Sequence, residues 1–286
     1  FEAVEIAKAV IAGDMPEEAL DEEPVGESYI GHNVRRLDAP SKVSGRLRYA
    51  ADIKMHDMLQ MQVLRSPHPH ANIVSIDTSE AEAMDGVVCV ITSDDVPAET
   101  DGFGVFVHDQ PIMARGKVRH VGEAIAAVAA EDLVSARRAL SKIKVEYEEL
   151  PGVYDPEEAM KAGAAVVHDY AADNIVKHIP VRKGDVASGF ASADIVLEDD
   201  FSTQQVEHAY LEPEAGIAYV DPDDVIVVMS PSQNITHHRH MLAHILGQPI
   251  NKVRFIMSPV GGGFGGKEDM IYQGMLALMA MKTNRP

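Results

Sequence analysis

The chain has 286 residues, of which 46 % are apolar and 24 % are charged, proportions typical of a folded globular protein rather than a disordered one. Its 45 acidic and 25 basic side chains give a formal charge of −20, which disfavours nucleic-acid binding through a basic face. A single Cys excludes a disulfide framework and favours a cytoplasmic location. No apolar run is long enough to predict a membrane span.

The two ends of the chain indicate a segment of a longer polypeptide. The chain begins at Phe1 without a signal-peptide pattern, and it stops at Pro286 soon after a strongly apolar stretch. Residues 2–12 have the apolar spacing of a short helix. The acidic, proline-containing residues 14–28 have the composition of a linker.

From about residue 40 the pattern is that of a mixed α and β fold. Short apolar or alternating runs predict strands at residues 58–64, 73–76, 87–91, 124–130 and 144–148. A helix is predicted over residues 131–142, because its acidic side chains come first and its basic ones later, the order that the helix dipole favours. The break at residues 150–152 is the predicted domain boundary.

The second half begins with the loop-rich residues 155–184. Strands are then predicted at residues 194–204, 216–220, 225–229 and 252–257, with a turn at residues 221–224. Helices are predicted at residues 235–246 and at about 269–282. A glycine cluster at residues 261–266 lies between the last strand and the last helix.

This glycine cluster, GGGFGGKE at residues 261–268, is the sharpest local signal. Five glycines in six positions let the backbone approach a ligand closely and point successive N–H groups at an anion or an oxo group. A phosphate-binding P-loop is one alternative, since its pattern fits from Gly261 to Lys267. It is disfavoured because Glu268 stands where a Mg²⁺-binding hydroxyl is expected. A turn that only permits close packing is the other alternative.

Two groups containing histidine also suggest chemistry. His237, His240 and His244 can share one helix face with metal-ligand spacing, but the zincin pattern requires a Glu directly after the first His, so a polar helix face is favoured. His208 precedes Glu212 by four residues, a spacing that favours a buried hydrogen bond over a catalytic role.

Three further features are interpreted as structural. His68 and His70 flank a proline and indicate a rigid turn rather than a metal site. Cys89 lies in an apolar strand and is expected to be a buried small hydrophobe rather than a nucleophile. The last helix is expected to pack in the core through its methionines, Met270, Met275, Met279 and Met281.

Several motifs together resemble the molybdenum-cofactor part of the xanthine oxidase family of molybdenum hydroxylases, which includes the aldehyde oxidoreductases. The similar segments cover nearly the whole chain in the family's order: residues 40–53, 64–77, 117–130, 207–217, 231–234 and 260–268. The resemblance implies an α/β (α+β) fold, with an a/b hammerhead domain at residues 39–150 and the first part of the molybdopterin-binding domain at 151–286. Residues 1–38 would hold the end of a [2Fe-2S] domain and a linker.

The resemblance also implies oxidative hydroxylation of an N-heterocycle or an aldehyde, with water as the oxygen source and electrons passing to [2Fe-2S] clusters. Gln233 would donate a hydrogen bond to an oxo ligand of molybdenum. Glu268 would bind substrate and favour a purine-like heterocycle. The family's catalytic base, a Glu, would lie beyond this chain, and no residue here would ligate the metal. The cofactor would be held by the loop residues Gly262, Gly263, Phe264, Gly265 and Gly266, with Phe264 also lining the substrate side.

The implied cofactor is molybdenum-molybdopterin, and the cytosine dinucleotide form is compatible with the resemblance. The implied partners are the remaining half of the molybdenum subunit, a [2Fe-2S] domain or subunit and an FAD subunit, in an oligomer. A different class of function stays open, a cofactor-free structural or assembly module. Absence of both metal and a complementary half would favour that module.

Overall fold

A computed structural model of the chain describes residues 30, 36–97, 99, 102–104 and 107–286. The helix and linker predicted for residues 2–12 and 14–28 lie outside this part. The described helices are α1 (Ala39–Val43), α2 (Ser79–Glu82), α3 (Leu133–Leu140), α4 (Pro156–Ala159), α5 (Val186–Ser192), α6 (Ile235–Ile245) and α7 (Gln273–Thr283). The described strands are β1 (Gln60–Arg65), β2 (Ala71–Asp77), β3 (Val87–Thr92), β4 (Lys117–Val118), β5 (Ala124–Ala130), β6 (Lys144–Glu149), β7 (Ile217–Val220), β8 (Ile226–Ser230) and β9 (Val253–Met257).

These strands form three sheets of three strands each. The first two sheets, in the orders β1-β5-β3 and β4-β2-β6, are antiparallel throughout. In the third sheet β7 runs antiparallel to β8, and β8 runs parallel to β9. Helices and strands are mixed along the chain, so the fold has the α/β (α+β) character expected from the sequence.

Strand β5 is the middle strand of its sheet, and all of its residues, AIAAVAA, are buried. On one face Ala127 and Ala129 join the largest core cluster, whereas Ala126 and Val128 on the other face pack with residues of the α3 region. Small side chains on both faces let the covering layers lie close to the strand. The alanine-rich run is therefore an interior strand.

The largest core cluster joins the two halves of the chain across the predicted boundary at residues 150–152. It contains Ile91 and Ala127 from the first half together with Val228, Leu242 and Met275 from the second. Helix α7 contacts β3 as well as β7 and β8. The third sheet is thus packed against the first one.

One predicted strand is wrong. Residues 194–204 form neither helix nor strand, and their apolar side chains are exposed, with Leu197 and Phe201 both at 90 %. Alternating apolar residues show that a segment could line a sheet, but a strand also needs a neighbouring strand with which to pair. Among the described residues this segment has none.

Helix boundaries differ from prediction where a side chain satisfies the backbone before the helix begins. Asp132, predicted inside its helix, instead caps α3 by accepting hydrogen bonds from the N–H groups of Val134 and Ser135. The last helix begins at Gln273 rather than near residue 269. The side-chain oxygen of Gln273 accepts from the N–H groups of Ile271 and Tyr272, which holds these residues in a turn.

Candidate functional site

Gln233 and the glycine loop meet because they follow two neighbouring parallel strands. Strand β8 ends at Ser230, strand β9 ends at Met257, and these two residues are register partners. Gln233 lies shortly after β8, and residues 261–268 follow β9. The carboxyl ends of adjacent parallel strands lie at one sheet edge, the usual place for ligand sites in such sheets.

The side chain of Gln233 is fixed by the main chain of the loop. Its oxygen Oε1 accepts hydrogen bonds from the N–H groups of Gly265 at 3.0 Å and Lys267 at 3.2 Å. The N–H of Gln233 in turn donates to the main-chain oxygen of Lys267 at 3.0 Å. With its oxygen engaged, the exposed amide of Gln233 presents its NH₂ group as a neutral donor.

The N–H groups of the loop divide into two sets. Sequence reasoning expected those of residues 263–266 to face a ligand. The N–H of Gly265 donates to Gln233, however, and that of Gly266 donates to the main-chain oxygen of Gly263 at 2.8 Å. Within the described residues, the N–H groups of Gly262, Gly263 and Phe264 have no hydrogen-bond partner, so they remain as donors for a ligand.

Gly263 lies very close to the side chain of Gln233. A Cβ added to Gly263 would lie 2.4 Å from Oε1 of Gln233, a distance that a real Cβ does not adopt. With Gln233 in its hydrogen-bonded position, a side chain at position 263 would therefore displace the amide. This close approach fits a loop that presents backbone donors beside the amide of Gln233.

Phe264 is the exposed side chain of the loop. Its φ is +52°, a left-handed conformation that is uncommon for a bulky residue, and the residue is 75 % exposed. Such backbone conformations persist when surrounding contacts hold them, and they concentrate at ligand sites. The ring therefore stands clear of the core, next to the main-chain donors of the loop.

Lys267 faces the interior instead. Its side chain is only 1 % exposed and its Nζ lies 2.5 Å from the carboxylate oxygen Oε2 of Glu212, which is also buried. The same Nζ lies 4.7 Å from the centre of the Tyr210 ring. The Lys of a P-loop must reach phosphate at the loop surface. Because Lys267 is buried and paired, the arrangement contradicts the P-loop alternative.

Glu268 directly follows the buried Lys267 but is exposed. Its main-chain oxygen accepts a hydrogen bond of 2.6 Å from Nε2 of His238 in α6. His238 is fully buried against Phe255, and burial lowers the pKa of its imidazole below the ordinary value. The neutral ring thus anchors the backbone that carries the Glu268 carboxylate.

Sequence reasoning missed this role of His238, although a signal was present. His238 precedes Met241, Leu242 and Ile245, which are spaced at i+3, i+4 and i+7 and are all buried in α6. That spacing places His238 on the inner face of the helix. The histidines at positions 237, 240 and 244 belong to other faces, and the described residues hold no group of three ligand-type side chains that could bind a metal ion.

The predicted contact between His208 and Glu212 is wrong, because Glu212 pairs with Lys267. The His208 ring is partly exposed, and Nδ1 lies 3.7 Å from a carboxylate oxygen of Glu207. A Cβ on Gly266 would lie 2.7 Å from the Tyr210 ring and 3.1 Å from the His208 ring. Residues 207–214 therefore form one wall against which the glycine loop packs.

The remaining candidates are structural. His70 is buried and its Nδ1 lies 2.8 Å from the main-chain oxygen of Pro151, while His68 packs on Tyr147. Cys89 is half-buried beside the core, and burial raises the pKa of its thiol, which disfavours the reactive thiolate. Met275 and Met279 of α7 and Met270, which precedes this helix, are buried in the core, whereas Met281 is exposed.

A cavity of about 450 Å³ lies elsewhere, between β1, β7 and α7. Its lining includes Arg65, Gly216, Tyr272 and Arg285, but neither Gln233 nor the glycine loop. Gln233, Phe264 and Glu268 lie outside this cavity and are exposed.

Two family models match the chain. The aldehyde oxidase and xanthine dehydrogenase a/b hammerhead domain matches residues 44–151, and the molybdopterin cofactor-binding domain matches residues 167–286. Together they include every candidate residue of the loop as well as Gln233.

Two similar curated proteins are named as dehydrogenase subunits. The nicotinate dehydrogenase large molybdopterin subunit of Eubacterium barkeri is 39 % identical over 92 % of this chain and 61 % of its own length. A probable xanthine dehydrogenase subunit of Bacillus subtilis is 41 % identical over 88 % of this chain and 33 % of its own. The chain thus spans between one third and about three fifths of the length of these two relatives.

A solved structure gives the same result for the fold. The aldehyde oxidoreductase from Desulfovibrio gigas superposes with a TM-score of 0.84 at 32 % identity, covering 97 % of this chain and 32 % of that one. The chain belongs to the xanthine dehydrogenase and aldehyde oxidoreductase family of molybdenum hydroxylases, and it carries the hammerhead domain and molybdopterin-domain sequence of that family. None of the described helices is long and apolar enough to cross a membrane.

Proposed function

We propose that this chain supplies one wall of the molybdenum-cofactor site of an oxidoreductase. The enzyme would hydroxylate either a purine-like N-heterocycle or an aldehyde. The observation that carries the proposal is the fixed amide of Gln233, whose oxygen is engaged by the N–H groups of Gly265 and Lys267. Its NH₂ group and the N–H groups of Gly263 and Phe264 then form a preorganised set of neutral donors for oxygen ligands of a cofactor.

The bound molybdenum cofactor would accept two electrons from the substrate. Overall, a C–H bond of the substrate is replaced by C–OH with oxygen from water, two protons are released, and the two electrons leave through [2Fe-2S] clusters. Gln233 orients the cofactor without adding charge, since an amide is neutral. The cofactor-binding residues are Gln233, Gly262, Gly263, Phe264, Gly265 and Gly266, and the catalytic Glu base is assigned to polypeptide outside these 286 residues.

The substrate side is assigned to Phe264 and Glu268, both of which are exposed. A carboxylate accepts hydrogen bonds from the N–H groups of a heterocycle, which an aldehyde group does not offer. Two similar proteins are named for N-heterocyclic substrates, nicotinate and xanthine. Both considerations favour a heterocycle over an aldehyde.

The partners follow from the same proposal. Gln233, Phe264 and Glu268 are exposed, and the chain spans only part of its relatives' length, so the other walls are assigned to the remaining part of the molybdenum subunit. A [2Fe-2S] domain or subunit would take the electrons, and an FAD subunit would pass them onward. The cytosine dinucleotide form of the pterin and a cytoplasmic location complete the proposal.

The test is the metal content of the complete protein isolated with all its copurifying chains. We expect nearly one molybdenum per molybdenum subunit, with zinc measured as the control metal. Gln233→Glu keeps acceptors for Gly265 and Lys267 but removes the NH₂ donor. We expect it to fold normally and to lose activity about 10²-fold, the cost of one preorganised donor. Absence of molybdenum while the complementary chains are present would contradict the proposal and favour a cofactor-free module.

A further inference from the structure

The buried ion pair of Lys267 and Glu212 connects separate segments of the site. Their side chains are 1 % and 6 % exposed, and the Nζ–Oε2 distance is 2.5 Å. Oε2 of Glu212 also accepts a hydrogen bond of 2.7 Å from the N–H of Gly261, at the start of the glycine loop. The pair thus ties residues 207–214 to both ends of that loop.

Lys267 also holds Gln233, through the N–H and the oxygen of its main chain. The N–H of Lys267 donates to Oε1 of Gln233, and the main-chain oxygen of Lys267 accepts from the N–H of Gln233. The backbone position of Lys267 therefore sets the position of the Gln233 amide. The side chain of Lys267, bound to Glu212, sets the backbone position of Lys267.

Fold stability is a poor explanation for this pair. Two charges removed from water lose their hydration, and a buried ion pair is often no more stabilising than well-packed apolar residues of similar size. Oε1 of Glu212 is moreover buried without a hydrogen-bond partner in the described residues. A charge-assisted hydrogen bond is directional and holds two segments at one distance and one angle. Packing between two apolar side chains does not.

We propose that Lys267 and Glu212 are positioning residues, which set the Gln233 amide and the loop donors at the distance from residues 207–214 that the cofactor requires. The identity of the cofactor in this proposal rests on the proposed function. The positioning of Gln233 by Lys267 and Glu212 does not. Neither side chain touches the ligand, since both are buried beneath the loop. Tyr210, whose ring Lys267 approaches to 4.7 Å, packs against the cation of the pair.

The experiment uses the complete protein and a double variant. Lys267→Met alone would leave Glu212 buried without its cation. A loss of activity in that variant could then come from misfolding as well as from displacement of Gln233. The variant Lys267→Met/Glu212→Gln removes both charges and keeps an acceptor for the Gly261 N–H. The matched control is Lys161→Met/Glu158→Gln, which removes an exposed ion pair far along the chain from the loop.

We expect the double variant to melt near the temperature of the unmodified protein, while the amide protons of Gly265 and Lys267 exchange about tenfold faster or more, because their acceptor on Gln233 is no longer fixed. We also expect kcat to fall about tenfold or more with KM nearly unchanged, since the donors shift but the substrate contacts do not. Molybdenum should dissociate faster during dialysis. The control variant should match the unmodified protein in all of these measurements.

Unchanged amide exchange together with unchanged kcat and molybdenum retention would overturn the proposal. Unchanged exchange at Gly265 and Lys267 would overturn it even if activity fell, because the loss would then have another cause. The exchange measurement needs no metal, so it decides the positioning role even where the isolated protein holds no molybdenum. A failure of the proposed function is thereby distinguished from a failure of this inference.

Discussion

Gly263 lies so close to the side-chain oxygen of Gln233 that an added Cβ would stand only 2.4 Å from it. The amide of Gln233 is in addition hydrogen-bonded to the loop through the N–H groups of Gly265 and Lys267. If the loop binds the cofactor as proposed, the closeness fixes where backbone and amide donors stand relative to each other.

Gly263→Ala is the direct test of that closeness. The new methyl group would push the Gln233 amide away from the N–H groups that hold it, and we expect kcat/KM of the complete enzyme to fall about 10²-fold, as for displacements of about 1 Å in other active sites. Gly189→Ala is the control, since a Cβ there meets open space within helix α5. Unaltered turnover after Gly263→Ala would show that the close approach has no functional role.

Replacing Glu268 should change the choice of substrate. With Glu268→Gln, we expect kcat/KM for an N-heterocycle to fall about fivefold, because the amide oxygen still accepts the hydrogen bond but lacks the charge, which contributes roughly 1 kcal/mol. Aldehyde oxidation should change little, since an aldehyde offers no N–H donor. Asp269→Asn, at the neighbouring exposed carboxylate, is the control. An equal loss for both substrate classes would refute the assignment of Glu268 to the substrate.

The buried imidazole of His238 should make stability depend on pH. Burial lowers its pKa below the ordinary value of 6.5, so between 6.5 and its folded pKa the unfolded chain binds a proton that the folded chain does not. The free energy of unfolding therefore falls as pH falls below 6.5, by at most about 1.4 kcal/mol per pH unit for one proton. Well above pH 6.5, where the imidazole is unprotonated in both states, the group contributes no slope.

His238→Gln removes this titration and retains a side-chain donor for the main-chain oxygen of Glu268. We expect urea unfolding between about pH 5.5 and 7.5 to show a shallower dependence in the variant than in the parent. His168, whose pKa is also lowered by burial, contributes equally to both proteins and cancels in the difference. If the two proteins show the same slope, the His238 imidazole is not the titrating group.

The sequence predicts much of this site because strands and glycine-rich turns leave short-range signals in the sequence. Strands 225–229 and 252–257, the turn before the first of them and the glycine cluster were all identifiable from short-range patterns, and the structure confirms the strands at β8 and β9. Which N–H groups remain available could not be predicted. That depends on Gln233, which engages Gly265 and Lys267 from outside the loop.

Long-range partners explain the other differences. Glu212 was expected to contact His208, four residues away, but its partner Lys267 is 55 residues further along the chain. Residues 194–204 have the alternation of a strand, yet pairing requires a neighbour that alternation does not specify. Periodicity identifies an amphipathic segment, whereas contacts between distant segments decide what that segment becomes.

The single core that joins Ile91 and Ala127 to Val228 and Met275 has a consequence for folding. If either region unfolded alone, the apolar surface that the other region buries against it would be exposed to water. The hammerhead region and the sheet that carries Gln233 should therefore unfold in one cooperative transition. Substitutions that disturb the packing of the alanine-rich strand β5 should then also destabilise the glycine loop, although no residue of that strand belongs to the site.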